Sequence, residues 1–153
     1  MNNPKYQYKS EKKFQLYKFI SEGPKGLITK IVEFSKTDTK NIYNLGFGDY
    51  DKKTDSVNDL SVTNNGDSLK VLATVASTVY AFTENYPEAW IFATGSTKAR
   101  TRLYRMGITN NLVEIQNDFI VFGLTVNDNI WEDFIAGEDY EAFLITKKQN
   151  YVK

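Results

Sequence analysis

The sequence predicts an α+β domain with a mostly antiparallel sheet and helices mainly on one face of it. Short β-rich runs separated by turn residues fill the first 48 positions. Two helical patterns around a short apolar run follow, and further β-rich runs close the chain. With 153 residues, 41% of them hydrophobic, the chain is long enough for one domain with its own core. We therefore predict a single domain over residues 1–153 with the element order β-β-β-β-α-β-α-β-β.

The first four strands are predicted from β-branched and aromatic residues that lie between turn signals. The sequence Glu-Gly-Pro-Lys-Gly at residues 22–26 separates the second run from the third, which indicates a hairpin. The predicted strands are Lys5–Ser10, Phe14–Ser21, Leu27–Ser35 and Asn41–Gly48.

The polar segment Asp49–Gly66 is long for a connection within a compact domain, and segments of this kind are often functional or disordered. Leu60–Val62 is a candidate for a further short strand within it. Asp49 and Asp51 begin a series of four aspartates that also includes Asp55 and Asp59, and carboxylates are ligands that suit Mg²⁺ or Ca²⁺. Because the series lacks the glycine and the final glutamate of an EF-hand loop, a solvated loop is the simpler interpretation. We predict no metal site. If the chain did hold a metal ion, Asp49 and Asp51 would be the candidate ligands.

A long helix follows, predicted over about Ser68–Glu84 with Asp67 as its N-cap. Apolar residues recur there at helical spacing, and the stretch Val71–Thr83 carries no charge. A helix so neutral is expected to be covered on much of its circumference, by the sheet and by another element or another subunit. The sequence thus raises the possibility of a homo-oligomer through Val71–Thr83.

The remaining elements alternate between strands and short helices. The apolar run Ala89–Thr94 suits a central strand, and a second helix is predicted over Lys98–Met106, with Gly107 ending or kinking it. The others are another helical turn at Asn110–Gln116, a strand at Phe119–Val126, a short helix at Ile130–Ile135 around Trp131, and a last strand at Tyr140–Lys147.

The composition excludes several kinds of chemistry. The chain has no cysteine and no histidine, which excludes a disulfide, a thiol nucleophile, a catalytic triad with histidine and a zinc site with histidine or cysteine ligands. No run of about 18 apolar residues suggests a membrane span, and the start of the chain lacks an apolar leader. We expect a cytoplasmic protein with no membrane association and no cofactor.

Charge is unevenly distributed although the net charge is zero. Residues 1–40 carry nine lysines and four acids, whereas residues 110–146 carry eight acids and no base. Such asymmetry marks separate surfaces for separate partners, or else the two regions neutralise each other in the fold. A net charge of zero gives weak long-range attraction for nucleic acid.

All three arginines of the chain lie within six residues, at Arg100, Arg102 and Arg105. The guanidinium group grips a carboxylate or phosphate with two hydrogen bonds, whereas lysine acts as a mobile point charge. On the second predicted helix, Lys98, Arg102 and Arg105 fall on one stripe, with Arg100 apart from them. The helical projection places a narrow buried face at Ala99, Leu103 and Met106.

The start of this helix has the features of an anion site. Gly95 turns the chain after a strand, and the hydroxyl of Ser96 or Thr97 is placed to cap the helix, where free backbone N–H groups and the helix dipole favour a negative charge. Lys98 and Arg100 in the first turn oppose that dipole unless an anion or an acidic side chain lies near. Two interpretations stay open: internal ion pairs with the acids of residues 110–146, or an external anion, which is nucleic-acid phosphate or an acidic partner protein.

Four segments together carry a resemblance to a known family. They are Ser-Glu-Gly-Pro-Lys-Gly at residues 21–26, Tyr-Asn-Leu-Gly-Phe-Gly-Asp at 43–49, Asn-Asn-Gly-Asp at 64–67 with Lys-Val-Leu-Ala-Thr-Val at 70–75, and Gly-Ser-Thr-Lys-Ala-Arg-Thr-Arg-Leu-Tyr at 95–104. The chain resembles an uncharacterised family of small proteins common in Bacteroidetes. The resemblance implies a bacterial, intracellular, single-domain protein, and it implies no activity and no catalytic residues.

The leading functional prediction is a non-enzymatic binding domain that recognises an anion through Ser96, Thr97, Lys98, Arg100, Arg102 and Arg105. One alternative is a magnesium-dependent enzyme in which Asp49 and Asp51 hold the metal and the arginines clamp a phosphorylated substrate. The other is a structural or oligomerisation protein that associates through the uncharged helix.

Overall fold

A computed structural model describes residues 3–58 and 62–151. The described residues form nine strands and three helices. The strands are β1 (Lys9–Glu11), β2 (Leu16–Gly23), β3 (Gly26–Lys36), β4 (Ile42–Asp51), β5 (Ser56–Val57), β6 (Trp90–Ala93), β7 (Phe119–Thr125), β8 (Trp131–Asp133) and β9 (Tyr140–Lys147). The helices are α1 (Ser68–Asn85), α2 (Lys98–Asn110) and α3 (Leu112–Asp118), and a short 3₁₀ turn, Lys148–Asn150, follows β9. Asp59 and most of the candidate strand Leu60–Val62 lie outside the described residues.

The strands form one sheet in the order β1-β2-β3-β4-β6-β9-β7-β8, with β5 paired to β4. Neighbouring strands are antiparallel except β4 and β6, which run parallel. The predicted hairpin is confirmed, since β2 and β3 pair through to Gly23 opposite Gly26. The fold class predicted from the sequence is therefore confirmed: α+β with a mostly antiparallel open sheet.

The core lies between one face of the sheet and the helices. Phe82 of α1 stacks on Phe34 of β3 with ring centroids 4.2 Å apart, and Tyr80 meets the edge of Phe119 of β7 at 5.0 Å. The apolar residues of α2 and α3 reach the same layer, where a small void of about 50 Å³ is lined by side chains of all three helices and of the sheet. The helices therefore share one face, and the other face of the sheet carries none of them.

Helix α1 is covered by the chain itself. No residue from Val71 to Thr83 is exposed, although the stretch carries no charge. The sheet, α2 and the N-terminal segment surround it, and the backbone N–H of Tyr6 donates to the hydroxyl of Thr74 at 2.8 Å. A second subunit is therefore not needed to explain the neutral surface of α1. Asp67 precedes the helix as predicted, but its carboxylate accepts hydrogen bonds from Tyr6 and Ser21 instead of capping it.

The predicted short helix at Ile130–Ile135 is wrong, because Trp131–Asp133 form strand β8. Trp131 pairs with Leu124 of β7, which places the segment at the edge of the sheet. The turn between β7 and β8 uses Asn129 with φ of +52°, a conformation that asparagine tolerates better than most residues. Pairing with β7 decides the structure of this segment, and the local sequence does not reveal that pairing.

The second helix differs from its prediction in length and in the face that it buries. It continues through Gly107 to Asn110, and its buried residues are Tyr104 and Ile108. Ala99 and Met106, placed on the buried face by the projection, are exposed. Gly107 lies where α2 packs against α1, and a Cβ atom there would lie 3.4 Å from Leu72.

Replacing Gly107 with alanine should raise the free energy of unfolding by about 0.5–1 kcal/mol, since alanine is the better helix former. The added methyl meets Leu72 at ordinary van der Waals distance, beside the void between the helices. Urea denaturation of parent and variant checks this. A variant less stable than the parent would show that α1 and α2 cannot accommodate one more carbon.

Candidate anion-binding groove

The turn between β6 and α2 is tightly built around Gly95. A Cβ atom on Gly95 would lie 2.5 Å from the Cβ of Arg100 and 2.5 Å from the backbone nitrogen of Thr101, so only glycine fits. The N–H of Gly95 donates to the hydroxyl of Thr101 at 3.1 Å. Thr97 is the N-cap, and its hydroxyl accepts from the N–H of Arg100 at 3.2 Å. This confirms the predicted capping by a hydroxyl and fixes the direction in which α2 leaves the sheet.

An open groove of about 670 Å³ lies between this turn and the adjoining ends of β6, β7 and β9. We call it the α2 groove. Its walls include Ser96, Thr97, Lys98, Arg102 and Arg105, five of the six residues predicted to bind an anion. Its apolar side is formed by Phe92, Leu124, Val126 and Ala142, and the acids Asp139 and Glu141 also line it.

Lys98 and Arg102 stand on the wall of this groove with exposed side chains. Among the described residues, neither has an acidic partner within ion-pair distance. Both are therefore available to a ligand in the groove. Because Lys98 lies in the first turn of α2, where a cation opposes the helix dipole, an anion placed between the two cations would relieve a local conflict.

Arg105 is the member of the stripe that meets an acid of its own chain. Its guanidinium pairs with the carboxylate of Asp139, whose side chain is 83% exposed, and it also contacts the carbonyl of Glu138 at 3.5 Å. Ion pairs this exposed contribute at most about 1 kcal/mol, since water and salt screen them. Of the two interpretations that the sequence left open, the internal ion pair with an acid of residues 110–146 is found at Arg105, and its charge in the groove is partly offset.

Arg100, the sixth residue predicted to bind the anion, lies outside the α2 groove. It lines a smaller cleft of about 250 Å³, and its guanidinium donates to the backbone carbonyl of Asn58. Tyr104, one helical turn later, is buried beside the edge of β4. Burial raises the pKa of Tyr104, against the opposing effects of a hydrogen bond from the backbone of Phe47 and of the charge on Arg100. Arg100 and Tyr104 together anchor α2 to the sheet.

The two aspartates considered as metal ligands lie elsewhere. The Nζ of Lys30 is 2.6 Å from Oδ1 of Asp49, and the backbone and hydroxyl of Thr63 also donate to this carboxylate. Asp51 accepts from the N–H of Lys53 at 2.9 Å, within a turn. Neither aspartate lines the α2 groove, and the described residues contain no group of three acids placed to hold a metal ion.

The sequence did not predict the apolar wall of the groove or the acids that line it. Phe92, Leu124 and Ala142 come from three separate strands, and Glu141 lies beside a register irregularity between β7 and β9. The alternation of residues in each strand indicates two faces but does not say which face meets α2. Only the strand order brings these residues to the arginine helix.

Comparison with known proteins places the chain in a family. The model of a family of unknown function, DUF6934, matches residues 2–148. The chain belongs to this family. No curated protein and no solved structure matches it. The DUF6934 match covers nearly the whole chain, including every residue of the α2 groove. Separately, none of the helices in the described part has the length and apolar character to cross a bilayer.

Proposed function

We propose that this chain is a non-enzymatic binding domain whose α2 groove holds an anionic group of a partner protein. The observation that carries the proposal is the pair of exposed cations, Lys98 and Arg102, which share an open groove and meet no acid among the described residues. Arg102 grips a carboxylate through two parallel hydrogen bonds, and Lys98 adds a second positive charge beside it.

The composition of the groove favours a carboxylate of a protein over nucleic acid. Asp139 and Glu141 line the same groove, and they would repel the successive phosphates of a polymer. A net charge of zero adds no general attraction for a polyanion. The apolar wall at Phe92 and Leu124 suits the hydrophobic side chains that flank an acid in a protein segment.

The alternative of a magnesium-dependent enzyme requires Asp49 and Asp51 to stand beside the phosphate clamp. In the structure Asp49 holds the ammonium group of Lys30, and neither carboxylate lines the α2 groove. A binding role therefore accounts for the arginine helix with fewer rearrangements. We include in the proposal a bacterial origin and a cytoplasmic location, which the family resemblance implies and which a chain without cysteine suits.

Replacing both groove cations, Lys98→Ala with Arg102→Ala, should weaken binding of a fluorescein-labelled peptide with a single glutamate between leucine residues by at least about tenfold, because both charges are lost from the groove. Fluorescence anisotropy at low and at high salt measures it, and the affinity of the parent should fall with salt. The matched control is Lys36→Ala with Lys40→Ala, which removes the same charge from exposed positions. Equal binding by the parent and the groove variant contradicts the proposal.

A single-stranded oligonucleotide used as a competitor separates the two classes of anion. We expect the labelled peptide to remain bound when the oligonucleotide is added at a concentration equal to the dissociation constant of the peptide. If the oligonucleotide displaces the peptide and itself binds more tightly through Arg102, the groove is a nucleic-acid site and the protein partner is excluded.

A further inference from the structure

The sheet face opposite the three described α-helices is apolar over its C-terminal half. Register places one set of side chains on this face of the four strands β6, β9, β7 and β8. We call it the open sheet face, and its members are Trp90, Phe92, Phe122, Leu124, Trp131 and Leu144. All of them are partly or largely exposed. The face continues directly into the α2 groove, since Phe92 and Leu124 belong to both.

The aromatic side chains of this face contact one another as one surface. Trp90 stacks on Phe122 with ring centroids 6.4 Å apart, and Phe92 meets the edge of Trp131 at 6.3 Å. Tyr151, after the last strand, packs on Phe122 at 5.3 Å. Trp131 is 41% exposed on the edge strand. A contiguous aromatic surface of this kind on a water-facing sheet is typical of a protein–protein interface.

Charges of opposite sign flank the two outer strands of the open sheet face. Lys98 and Arg102 lie beyond the end of β6, on the groove wall. Asp133 lies on β8 opposite Phe122, on the same face as Trp131, and Asp128 lies in the turn before it. Asp128 and Asp133 are exposed, and no ion pair joins either to a lysine or arginine among the described residues. One side of the face is therefore cationic and the other acidic.

We propose that the open sheet face binds a second copy of this chain. In the order β6-β9-β7-β8, a two-fold axis parallel to the strands and between β9 and β7 lays β6 of one copy over β8 of the other. The cations beyond β6 then face the β7–β8 turn of the second copy, where Asp128 lies, and the reverse contact forms at the same time, as in any isologous dimer. The inference rests on the proposed function, since it names a carboxylate of the second copy as the anion in the α2 groove.

The mixed charge of the surface selects this occupant. A nucleic acid that stacked its bases on the aromatic residues would bring its phosphates near Asp133 and Glu141 as well as Arg102. A second copy brings one acid to each cationic side and one cationic side to each acid. The aromatic residues supply the apolar centre that face-to-face sheets require, and the charges set the orientation of the two copies.

Charge reversal with rescue tests the dimer. Analytical ultracentrifugation of the full chain should show a monomer–dimer equilibrium. Arg102→Glu and Asp128→Lys should each weaken the dimer by at least about tenfold, because each places like charges together, and the double variant should recover most of the loss. Asp38→Lys, at an exposed acid away from the face, is the control and should leave the equilibrium unchanged. Circular dichroism verifies that each variant is folded.

Two results overturn the inference, and they separate it from the proposed function. A parent chain that stays monomeric at about 1 mM excludes the dimer. If such a monomer still binds the labelled glutamate peptide through Arg102, the groove function stands and only its assigned partner fails. A dimer that Arg102→Glu and Asp128→Lys leave intact excludes the proposed contact of Asp128 with the groove. Loss of the dimer with Trp131→Lys, together with rescue by the charge-reversed pair, supports the whole interface.

Discussion

Replacing Lys30 with methionine should lower the free energy of unfolding by about 3–5 kcal/mol, because it leaves a carboxylate without its cation inside the protein. The Lys30 side chain is 1% exposed, and its Nζ lies 2.6 Å from Asp49 and 2.6 Å from the backbone carbonyl of Thr63. Methionine fills a similar volume but donates no hydrogen bond. The loss of stability therefore measures the effect of the unpaired charge more than that of a change in packing.

The pair also holds the segment before α1 against the sheet. Asp49 lies on β4 opposite Lys30 on β3, and its carboxylate accepts from both the N–H and the hydroxyl of Thr63. Two residues further on, Asn65 is buried and donates to Ser21 and to the carbonyl of Gly26. Loss of Lys30 thus loosens the entry to α1 as well as the Lys30–Asp49 pair.

The pH dependence of this stabilisation follows from Asp49. Burial alone would raise its pKa, but the hydrogen bonds from Lys30 and Thr63 outweigh burial and lower the pKa below its ordinary 3.8. A lowered pKa in the folded state contributes stability that is present above the ordinary value and is lost as the pH falls through the folded value. The parent should therefore lose stability below about pH 4.

Urea denaturation at neutral pH and at about pH 3 measures both effects, and the difference between parent and Lys30→Met should be smaller at the acid pH. Lys36→Met is the matched control, because Lys36 lies on the same strand with an exposed side chain. It should change the free energy of unfolding by no more than about 0.5 kcal/mol. A loss below about 1 kcal/mol for Lys30→Met would show that Asp49 finds another partner or water.

The fold class was predictable because its signals are local. The turn at residues 22–26 and the β-rich runs around it determine the β2–β3 hairpin, and the regular apolar spacing of α1 determines a buried helix. The hairpin strand β8 was missed because Trp-Glu-Asp-Phe has no strong local preference. Pairing with β7 supplies the missing information, and pairing is a property of the whole sheet.

The candidate site was predictable only in part, for a reason specific to α2. The projection assumed that apolar residues bury, yet the helix buries Tyr104 and leaves Met106 37% exposed. Past the end of β6, Leu45 and Gly46 of β4 line a cleft together with Arg100 and Tyr104. The contacts of these two side chains with Asn58 and with the backbone of Phe47 separate Arg100 from Arg102, and no pattern within residues 95–110 reveals them.

Replacing Gly95 with alanine should cost about 1–3 kcal/mol of stability and weaken binding of the labelled glutamate peptide, because α2 must shift to make room. The new methyl would lie 2.5 Å from the backbone nitrogen of Thr101, and this atom belongs to the helix itself. A flexible side chain could rotate away, whereas here the first turn has to move. Lys98 and Thr97 move with it, since both belong to that turn.

The control is Gly46→Ala, on β4 beside the neighbouring cleft. A Cβ atom there would lie 3.6 Å from Val57, an ordinary contact, so stability should change by no more than about 1 kcal/mol and binding should not change. Urea denaturation and fluorescence anisotropy give the two measurements for each variant. A Gly-Ser-Thr turn before a helix is common, and its hydroxyls alone predict little. If Gly95→Ala weakens peptide binding by more than its loss of stability explains, binding depends on the placement of α2 against the sheet. Unchanged binding would show that the cations act without this placement.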